Sequence, residues 1–109
     1  MIRLQLFGLA TAAALFMCSS PAHATGDKAN GRILVYTCNG CHGVPGTTNA
    51  YPQYLVPKIA GQNEQYLISA LHGYKSGDRT HPTMMAQAQS LSDQEIEDIA
   101  AYLSGIASK

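Results

Sequence analysis

Two cysteines and a histidine stand within five residues of the chain, at Cys38, Cys41 and His42. On a turn of helix, residues three positions apart lie on one face, so both thiols can reach the two vinyl groups of one porphyrin. His42 then falls beneath the ring, where its imidazole can bind iron as an axial ligand. Two thiols at this spacing with a histidine directly after the second indicate covalent attachment of a haem. The pattern therefore predicts one haem c, bonded through both cysteines and ligated by the histidine.

Other sites also use two cysteines separated by two residues. A zinc site needs four ligands, usually with a second Cys or His pair at short spacing, and no such pair follows Cys41. A thioredoxin-type redox pair belongs to a βαβ unit, whereas this chain shows no strand pattern. A disulfide across two intervening residues would close a short, strained ring. Haem attachment accounts for both cysteines and for the histidine.

A second axial ligand is predicted in the stretch Asp78–Met85, which reads as a loop. Met84 and Met85 are the methionines that follow residue 24, and a thioether ligand raises the reduction potential by favouring ferrous iron. His81 is the rival ligand and would give a bis-histidine haem of lower potential. Both methionines could instead fill gaps in the core. The iron would then be five-coordinate.

The first two dozen residues read as an export signal. Arg3 gives a positive start, Leu4–Met17 is almost unbroken apolar sequence, and Ala22-His23-Ala24 is a small-x-small cleavage site. The apolar run is short against the roughly 20 residues of a membrane span, although an uncleaved N-terminal anchor is the alternative. We therefore predict a signal peptide over residues 1–24 and one periplasmic domain over residues 25–109, with no stable membrane insertion after cleavage.

Residues 25–109 are few, and a domain of that size has a thin core of its own. A covalently held haem would supply the additional apolar contacts and the covalent link that stabilise so small a domain. This part contains six Lys and Arg residues and seven Asp and Glu residues, so its formal net charge is −1. That balance excludes the basic footprint of a nucleic-acid-binding protein.

Capping residues predict three main helices. The first begins at Asp27 and runs to about Asn39, with Gly40 near its end. The second is capped by Asn63 and stopped by Gly77 after Ser76. The third begins at a capping box, Ser92 with Glu95, and ends at Gly105.

Charged and loop residues complete the interpretation. In the third helix, Asp93, Glu95, Glu97 and Asp98 read as a solvated acidic face near the N-terminal turns. Residues 43–61 are rich in glycine and proline and predict an irregular loop around a haem edge. His72 beside the apolar stripe of the second helix reads as a surface or packing residue.

Three motifs resemble those of class I c-type cytochromes, especially the small periplasmic bacterial monohaem members and one half of the dihaem members. The motifs are Cys38–Gly43, Pro57–Gln62 followed by Tyr66-Leu67, and Leu91–Gln94 continuing to Ala100–Leu103. The resemblance implies an all-α class I cytochrome c fold, with three main helices and loops wrapped around one covalent haem. The sequence holds a single haem motif, so the intramolecular transfer of the dihaem members is not expected.

The resemblance also implies roles for particular residues. The family's axial methionine stands eight residues before the capping serine, which selects Met84 over Met85. The loop proline's carbonyl accepts the proximal histidine's N–H, which implies that role for Pro57. The first and last helices cross closely in the family, so Gly31 is expected to meet the helix around Tyr102.

A haem ligated by His42 and Met84 implies a periplasmic one-electron carrier and not an enzyme, because both axial positions are filled. Its partners would be a redox donor and acceptor that dock transiently through a small interface. Two alternatives stay open at this point. One is a cytochrome subunit of a periplasmic dehydrogenase, and the other is a five-coordinate haem protein that binds a gas or peroxide.

Overall fold

A computed structural model describes residues 25–44 and 56–107. The predicted signal peptide and most of the predicted glycine- and proline-rich loop lie outside these ranges. Five helices and no strand occur in the described part, as the all-α prediction requires: α1 (Lys28–Leu34), α2 (Tyr36–His42), α3 (Glu64–Ser76), α4 (Pro82–Gln89) and α5 (Asp93–Ser104). None of the helices in these ranges is both long and apolar enough to cross a membrane.

The first predicted helix is two helices, and the prediction of one helix ending near Asn39 is wrong. Asp27 caps α1 through its side chain, as predicted. Val35 then interrupts the helix with a ψ of −4°, far from the helical value of about −42°. The helix α2 continues past Gly40 and ends at Gly43, whose φ of 57° is left-handed. The whole attachment motif therefore lies on helix.

The helices α3 and α5 match their predicted caps. The side chain of Asn63 accepts the Tyr66 N–H at 3.0 Å, and left-handed Gly77 closes α3. The capping box of α5 is complete, with Ser92 Oγ accepting the Glu95 N–H at 3.2 Å and Glu95 accepting the Ser92 N–H at 2.7 Å. These ends are set by local hydrogen bonds, which is why the sequence predicts them well.

The prediction of a loop over Asp78–Met85 is wrong from Pro82 onward, where α4 begins. Proline suits the first position of a helix because its missing N–H would have no partner there. His81 caps the helix, with its Nδ1 accepting the Met84 N–H at 3.4 Å. Met84 and Met85 thus stand in the first turn of a helix, which gives their side chains different directions.

The helices α1 and α5 cross closely at Gly31, as the resemblance implies. A Cβ atom at this position would overlap the carbonyl group of Asp98 and lie 2.9 Å from Tyr102 Cβ. Gly26 is similarly close to the backbone of α5 at Glu97. Only glycine lets the two backbones approach this far. The buried hydrophobic residues of the described part are Val35, Val44, Leu67, Ala88, Ile96, Ile99, Ala100, Ala101 and Leu103.

Asp98 is buried, with 2% of its surface exposed, so its predicted place on a solvated face is wrong. Its carboxylate accepts the Asp27 N–H at 2.7 Å, the Asn30 Nδ2 at 2.7 Å and the Gln94 Nε2 at 2.8 Å. Burial by itself would raise the pKa of Asp98, but hydrogen bonds from Asn30, Asp27 and Gln94 outweigh it and hold the pKa below its usual value. Three donors offset the cost of burying the charge. Asp98 thereby joins α1 to α5.

Candidate functional site

A cleft opens between α2, the 56–62 segment, α3, α4 and α5, with about 1090 Å³ of empty space that includes its open mouth. No Cα atom of α2 comes within 8 Å of one in α4, so the cleft separates these two helices. Its lining includes the predicted attachment cysteines, the predicted axial histidine and one of the two candidate methionines. The structure thus brings residues 42 positions apart in the chain, His42 and Met84, to one cleft.

Cys38 and Cys41 are free thiols, half-buried, on the part of α2 that lines the cleft. Burial raises the pKa of the Cys38 thiol, and Cys41 adds to this, while a hydrogen bond from Thr37 opposes it. Burial thus disfavours the thiolate form of Cys38. Among residues 25–44 and 56–107, no group of three His, Cys, Asp or Glu side chains could hold a metal ion.

His42 Nδ1 lies 2.7 Å from the carbonyl oxygen of Pro57. A carbonyl can only accept, so Nδ1 carries the proton and donates it. The lone pair then resides on Nε2, which is free to bind a metal. The hydrogen bond fixes both the tautomer and the orientation of the ring. It also ties α2 to the 56–62 segment.

The three candidates for the second axial ligand are placed differently. Met84 lines the cleft, whereas Met85 and His81 are not among the described residues that line it. His81 is exposed, and its Nδ1 is engaged with the Met84 N–H. His72 lies on the outer side of α3, with its Nδ1 3.9 Å from the Asp93 carboxylate. The geometry therefore favours Met84.

The rest of the cleft wall fits a haem. Two thiols are available for the porphyrin's vinyl groups, and an imidazole nitrogen and a thioether sulfur are available for iron. The macrocycle is largely apolar, and so is the wall, which includes Ile59, Leu67, Ala70, Leu71, Leu91, Ile99 and Leu103. An apolar wall around this donor set is what a covalently held haem requires.

Sequence reasoning missed the arginine in the lining. Arg79 lines the cleft together with Tyr66 and Tyr74 of α3. The two tyrosines belong to the predicted stripe of α3, at positions 66 and 74, and that spacing of eight on one helix face was the available signal. Nothing in the sequence shows that Arg79 reaches the two tyrosines, because the turn after Gly77 sets the direction of the arginine side chain.

Comparison with known proteins agrees with this site. The family model described as Cytochrome c matches residues 28–107. The chain is 46% identical over 81 residues to cytochrome c4 of Pseudomonas aeruginosa, covering 74% of this chain and 39% of that protein. It is 43% identical over 82 residues to cytochrome c-554(548) of Halomonas halodenitrificans, covering 72% of this chain and 95% of that protein.

A third relative is the cytochrome subunit of sulfide dehydrogenase of Chlorobaculum tepidum, 32% identical over 91 residues, covering 84% of this chain and 79% of that protein. The chain spans about two fifths of the length of the cytochromes c4 that it matches. The family match covers most of the chain and includes the cleft, and Cys38 and Cys41 have the spacing that attaches one haem c. The chain belongs to the cytochrome c family.

Proposed function

We propose that this protein is a one-electron carrier whose haem iron is ligated by His42 and Met84. The observation that carries the proposal is that both side chains line the same cleft as Cys38 and Cys41. The bound haem supplies a ferric–ferrous couple. Imidazole and thioether together favour the ferrous state and raise the potential relative to two histidines.

The residues of the chain have separate tasks in this proposal. Cys38 and Cys41 would hold the porphyrin by thioether bonds. Pro57 orients His42 through the 2.7 Å hydrogen bond, and α4 presents Met84 from its first turn. The apolar wall excludes water, which limits solvent reorganisation when the charge on the iron changes. Ligation by both His42 and Met84 would leave the iron no vacant site for oxygen or peroxide, which favours a carrier over an enzyme.

Redox titration of the purified protein, followed by its visible spectrum, tests the carrier function. We expect a reversible one-electron Nernst curve, and no fast binding of carbon monoxide by the reduced protein. Rapid carbon monoxide binding that Met84→Ala leaves unchanged would contradict the proposal. It would support the five-coordinate alternative, in which the methionines only pack.

The proposed location is the periplasm, reached through the predicted signal peptide over residues 1–24, with residues 25–109 as the mature domain. Its partners there would be a redox donor and a redox acceptor. The mass of the purified holoprotein tests this directly. A chain that begins at Thr25 and carries one haem is expected, and a chain that retains the first 24 residues would contradict it.

A second candidate is a stable cytochrome subunit of a periplasmic dehydrogenase. The relative from Chlorobaculum tepidum is named as a subunit of that kind. Ile33 and Tyr36 are 69% and 74% exposed, and such large apolar side chains suit a permanent contact. Gel filtration of a native extract distinguishes the candidates. A free carrier elutes at the size of one small domain, and a subunit elutes in a large complex.

A further inference from the structure

The exposed side of α1 and α2 carries two large apolar side chains. Ile33 and Tyr36 have 69% and 74% of their surface exposed. Arg32, Thr37 and Gly40 are exposed beside them. Successive members of this set stand three or four positions apart, which places them on one side of a helix. We call Arg32, Ile33, Tyr36, Thr37 and Gly40 the outer face.

The interruption at Val35 does not divide the outer face. The Val35 N–H donates to the Gly31 carbonyl at 3.0 Å, and the Asn39 N–H donates to the Val35 carbonyl at 3.1 Å. These bonds join residues four apart, so the helical period continues from α1 into α2. Gly31 and Val35 are buried on the side that packs against α5. The period places the outer face on the opposite side.

No helix in the described part of the chain covers the outer face. Among the described helices, α2 has Cα atoms within 8 Å of α1 alone, and α1 has them within 8 Å of α2 and α5. The contact with α5 is on the buried side, at Gly31. An exposed apolar surface with a polar rim is typical of a protein interaction site. Tyrosine and arginine are also enriched among the residues that contribute most to binding at interfaces.

The outer face adjoins the cleft. Thr37 belongs to both, and Cys38, one of the two attachment cysteines, follows it in α2. Tyr36 is thus two residues from the proposed bond to the porphyrin. A protein that covers the outer face would lie beside the edge of the haem held by Cys38. The position of the face therefore suits a partner that exchanges an electron with the haem.

The charges of the chain favour an acidic partner at this face. Residues 25–44 contain Asp27, Lys28 and Arg32, so their formal net charge is +1, whereas residues 56–107 contain three Lys and Arg and six Asp and Glu, a net charge of −3. The Asp27 carboxylate caps α1, and the Lys28 ammonium lies near the end of α5. Arg32 forms no ion pair with a described carboxylate. Its charge is therefore available at the rim of the face, where it can steer an anionic protein.

The outer face is too small for a permanent complex by itself. Residues 28–42 form a helix face about 22 Å long and about 10 Å wide. This area is on the order of 200–300 Å², against the roughly 800 Å² that each partner buries in a stable complex. A second copy of the chain would not be held through this face alone. Brief docking, as in electron-transfer encounters, fits the size of the face.

We propose that the outer face is the docking surface for a redox protein whose contact region is apolar at its centre and acidic at its rim. The inference rests on the proposed function, because an electron carrier needs a partner beside its haem. Ile33 and Tyr36 contact the apolar centre, and Arg32 attracts the acidic rim. One electron crosses in each encounter, and no bond forms or breaks.

Reduction of the ferric holoprotein by a reduced flavodoxin tests this surface. The flavodoxin is a small acidic protein that donates one electron at a time, as its flavin hydroquinone becomes the semiquinone. The rate constant of the parent should fall as salt is added, because salt screens the attraction. Arg32→Gln should lower the low-salt rate constant about two- to fivefold and leave the high-salt value nearly unchanged. Tyr36→Ser should lower it about fivefold or more at both salt concentrations, since an apolar contact is not screened.

The matched control is Lys75→Gln, which removes the same charge from α3, a helix whose Cα atoms stay more than 8 Å from those of α1 and α2. It should change the rate constant by less than Arg32→Gln does. The visible spectrum and the reduction potential of Arg32→Gln and Tyr36→Ser should match those of the parent, because neither side chain lines the cleft. Equal effects of Arg32→Gln and Lys75→Gln overturn the proposal. So does a parent rate constant that salt does not lower.

Nuclear magnetic resonance of the reduced holoprotein with oxidised flavodoxin locates the contact without electron transfer. Amide signals of the outer face should shift as flavodoxin is added, and Tyr36→Ser should weaken the binding. Shifts confined to α3 and α4 overturn the proposal. Two other occupants of the face would also overturn it. Outer-face signals that shift when the holoprotein alone is concentrated indicate a second copy. A Tyr36→Ser variant that is less stable but is reduced as fast as the parent indicates that another part of this chain covers the face.

A failure of the proposed function is seen separately, in the redox titration of the parent protein. A parent that binds carbon monoxide rapidly is not a carrier, whatever rates its variants show. The docking proposal fails by itself when the parent passes that titration and the flavodoxin reduces Arg32→Gln and Tyr36→Ser as fast as the parent.

Discussion

The crossing of α1 with α5 and the cleft between α2 and α4 are built in opposite ways. At the crossing, Gly31 brings two backbones into contact and Asp98 is enclosed by three hydrogen-bond donors. At the cleft, α2 has no fully buried residue and α4 has one, Ala88. The crossing is completed by atoms of the chain, whereas at the cleft an apolar wall, two thiols and a thioether surround empty space.

This difference separates the scaffold from the site. The buried cluster on Val35, Leu67, Ile99 and Leu103 joins α5 to α3 and to the α1–α2 junction. The same cluster forms the floor of the cleft through Leu67, Ile99 and Leu103. The haem therefore does more than occupy a preformed cavity. A bound haem would bridge α2 and α4, which do not contact each other, and the order of both helices should depend on it.

The largest effect is expected from removing the attachment itself. The double variant Cys38→Ala with Cys41→Ala should contain no covalent haem and should lose most of its helical circular dichroism, because the few buried residues of so small a domain cannot offset chain entropy. Haem staining after denaturing electrophoresis and far-ultraviolet spectra measure both losses. Thr37→Ala keeps both thiols and is the control. Cooperative thermal unfolding of the haem-free variant would contradict the dependence of the fold on haem.

The next effect is expected at the crossing. Gly31→Ala places a methyl group against the Asp98 carbonyl, and overpacking of this kind costs about 2–3 kcal/mol in the free energy of unfolding. The matched control is Gly105→Ala at the end of α5, where a Cβ would meet its nearest atoms at 3.5 Å or more. Denaturant unfolding of the two holoproteins measures the difference. Equal stabilities would show that the helices can separate at no cost.

A smaller, pH-dependent effect is expected from Asp98→Asn. The new amide places an NH₂ group against donors that now bind the carboxylate. This should lower the free energy of unfolding by about 2 kcal/mol at neutral pH. Because the pKa of Asp98 is lowered in the folded state, its contribution is present above the ordinary carboxyl pKa and is lost as the pH falls through the lowered folded value. The variant and the parent should therefore converge in acid.

Urea unfolding at neutral pH and in acid measures this convergence. Asp93→Asn is the matched control on the same helix. The Asp93 carboxylate is exposed and pairs with Lys75, so its replacement should cost less stability than that of Asp98. A constant difference between Asp98→Asn and the parent at every pH would contradict the assignment of a buried, ionised carboxylate.

Local signals in the sequence predicted the local parts of the structure. The caps at Asp27, Asn63 and Ser92 begin helices because a side chain and a backbone N–H a few residues apart form each one. The same reasoning failed at Val35. Burial of the Val35 side chain in the core offsets the cost of interrupting the helix there. The reasoning also failed at Pro82, which reads equally well as a loop residue or as the first residue of a helix.

Contacts between distant segments could not be read in the same way. Asp98 sits in an acidic run that looks solvated, and only its meeting with Asp27, 71 residues away, encloses it. The role of Gly31 came from the family resemblance, since an isolated glycine in a helix has several explanations. The cleft residues form an intermediate case. The haem motif marks one wall by itself, whereas Arg79 reaches the cleft only through the turn at Gly77.

The most direct test of the proposed site is the ferric absorption spectrum of three proteins, the parent, Met84→Leu and Met85→Leu. Both substitutions conserve volume and remove a thioether, and they differ in whether the residue lines the cleft. We expect the weak red charge-transfer band of methionine-ligated ferric haem in the parent and in Met85→Leu, and its loss in Met84→Leu together with a lower reduction potential. A band that survives in Met84→Leu, or disappears in Met85→Leu, would contradict ligation by His42 and Met84.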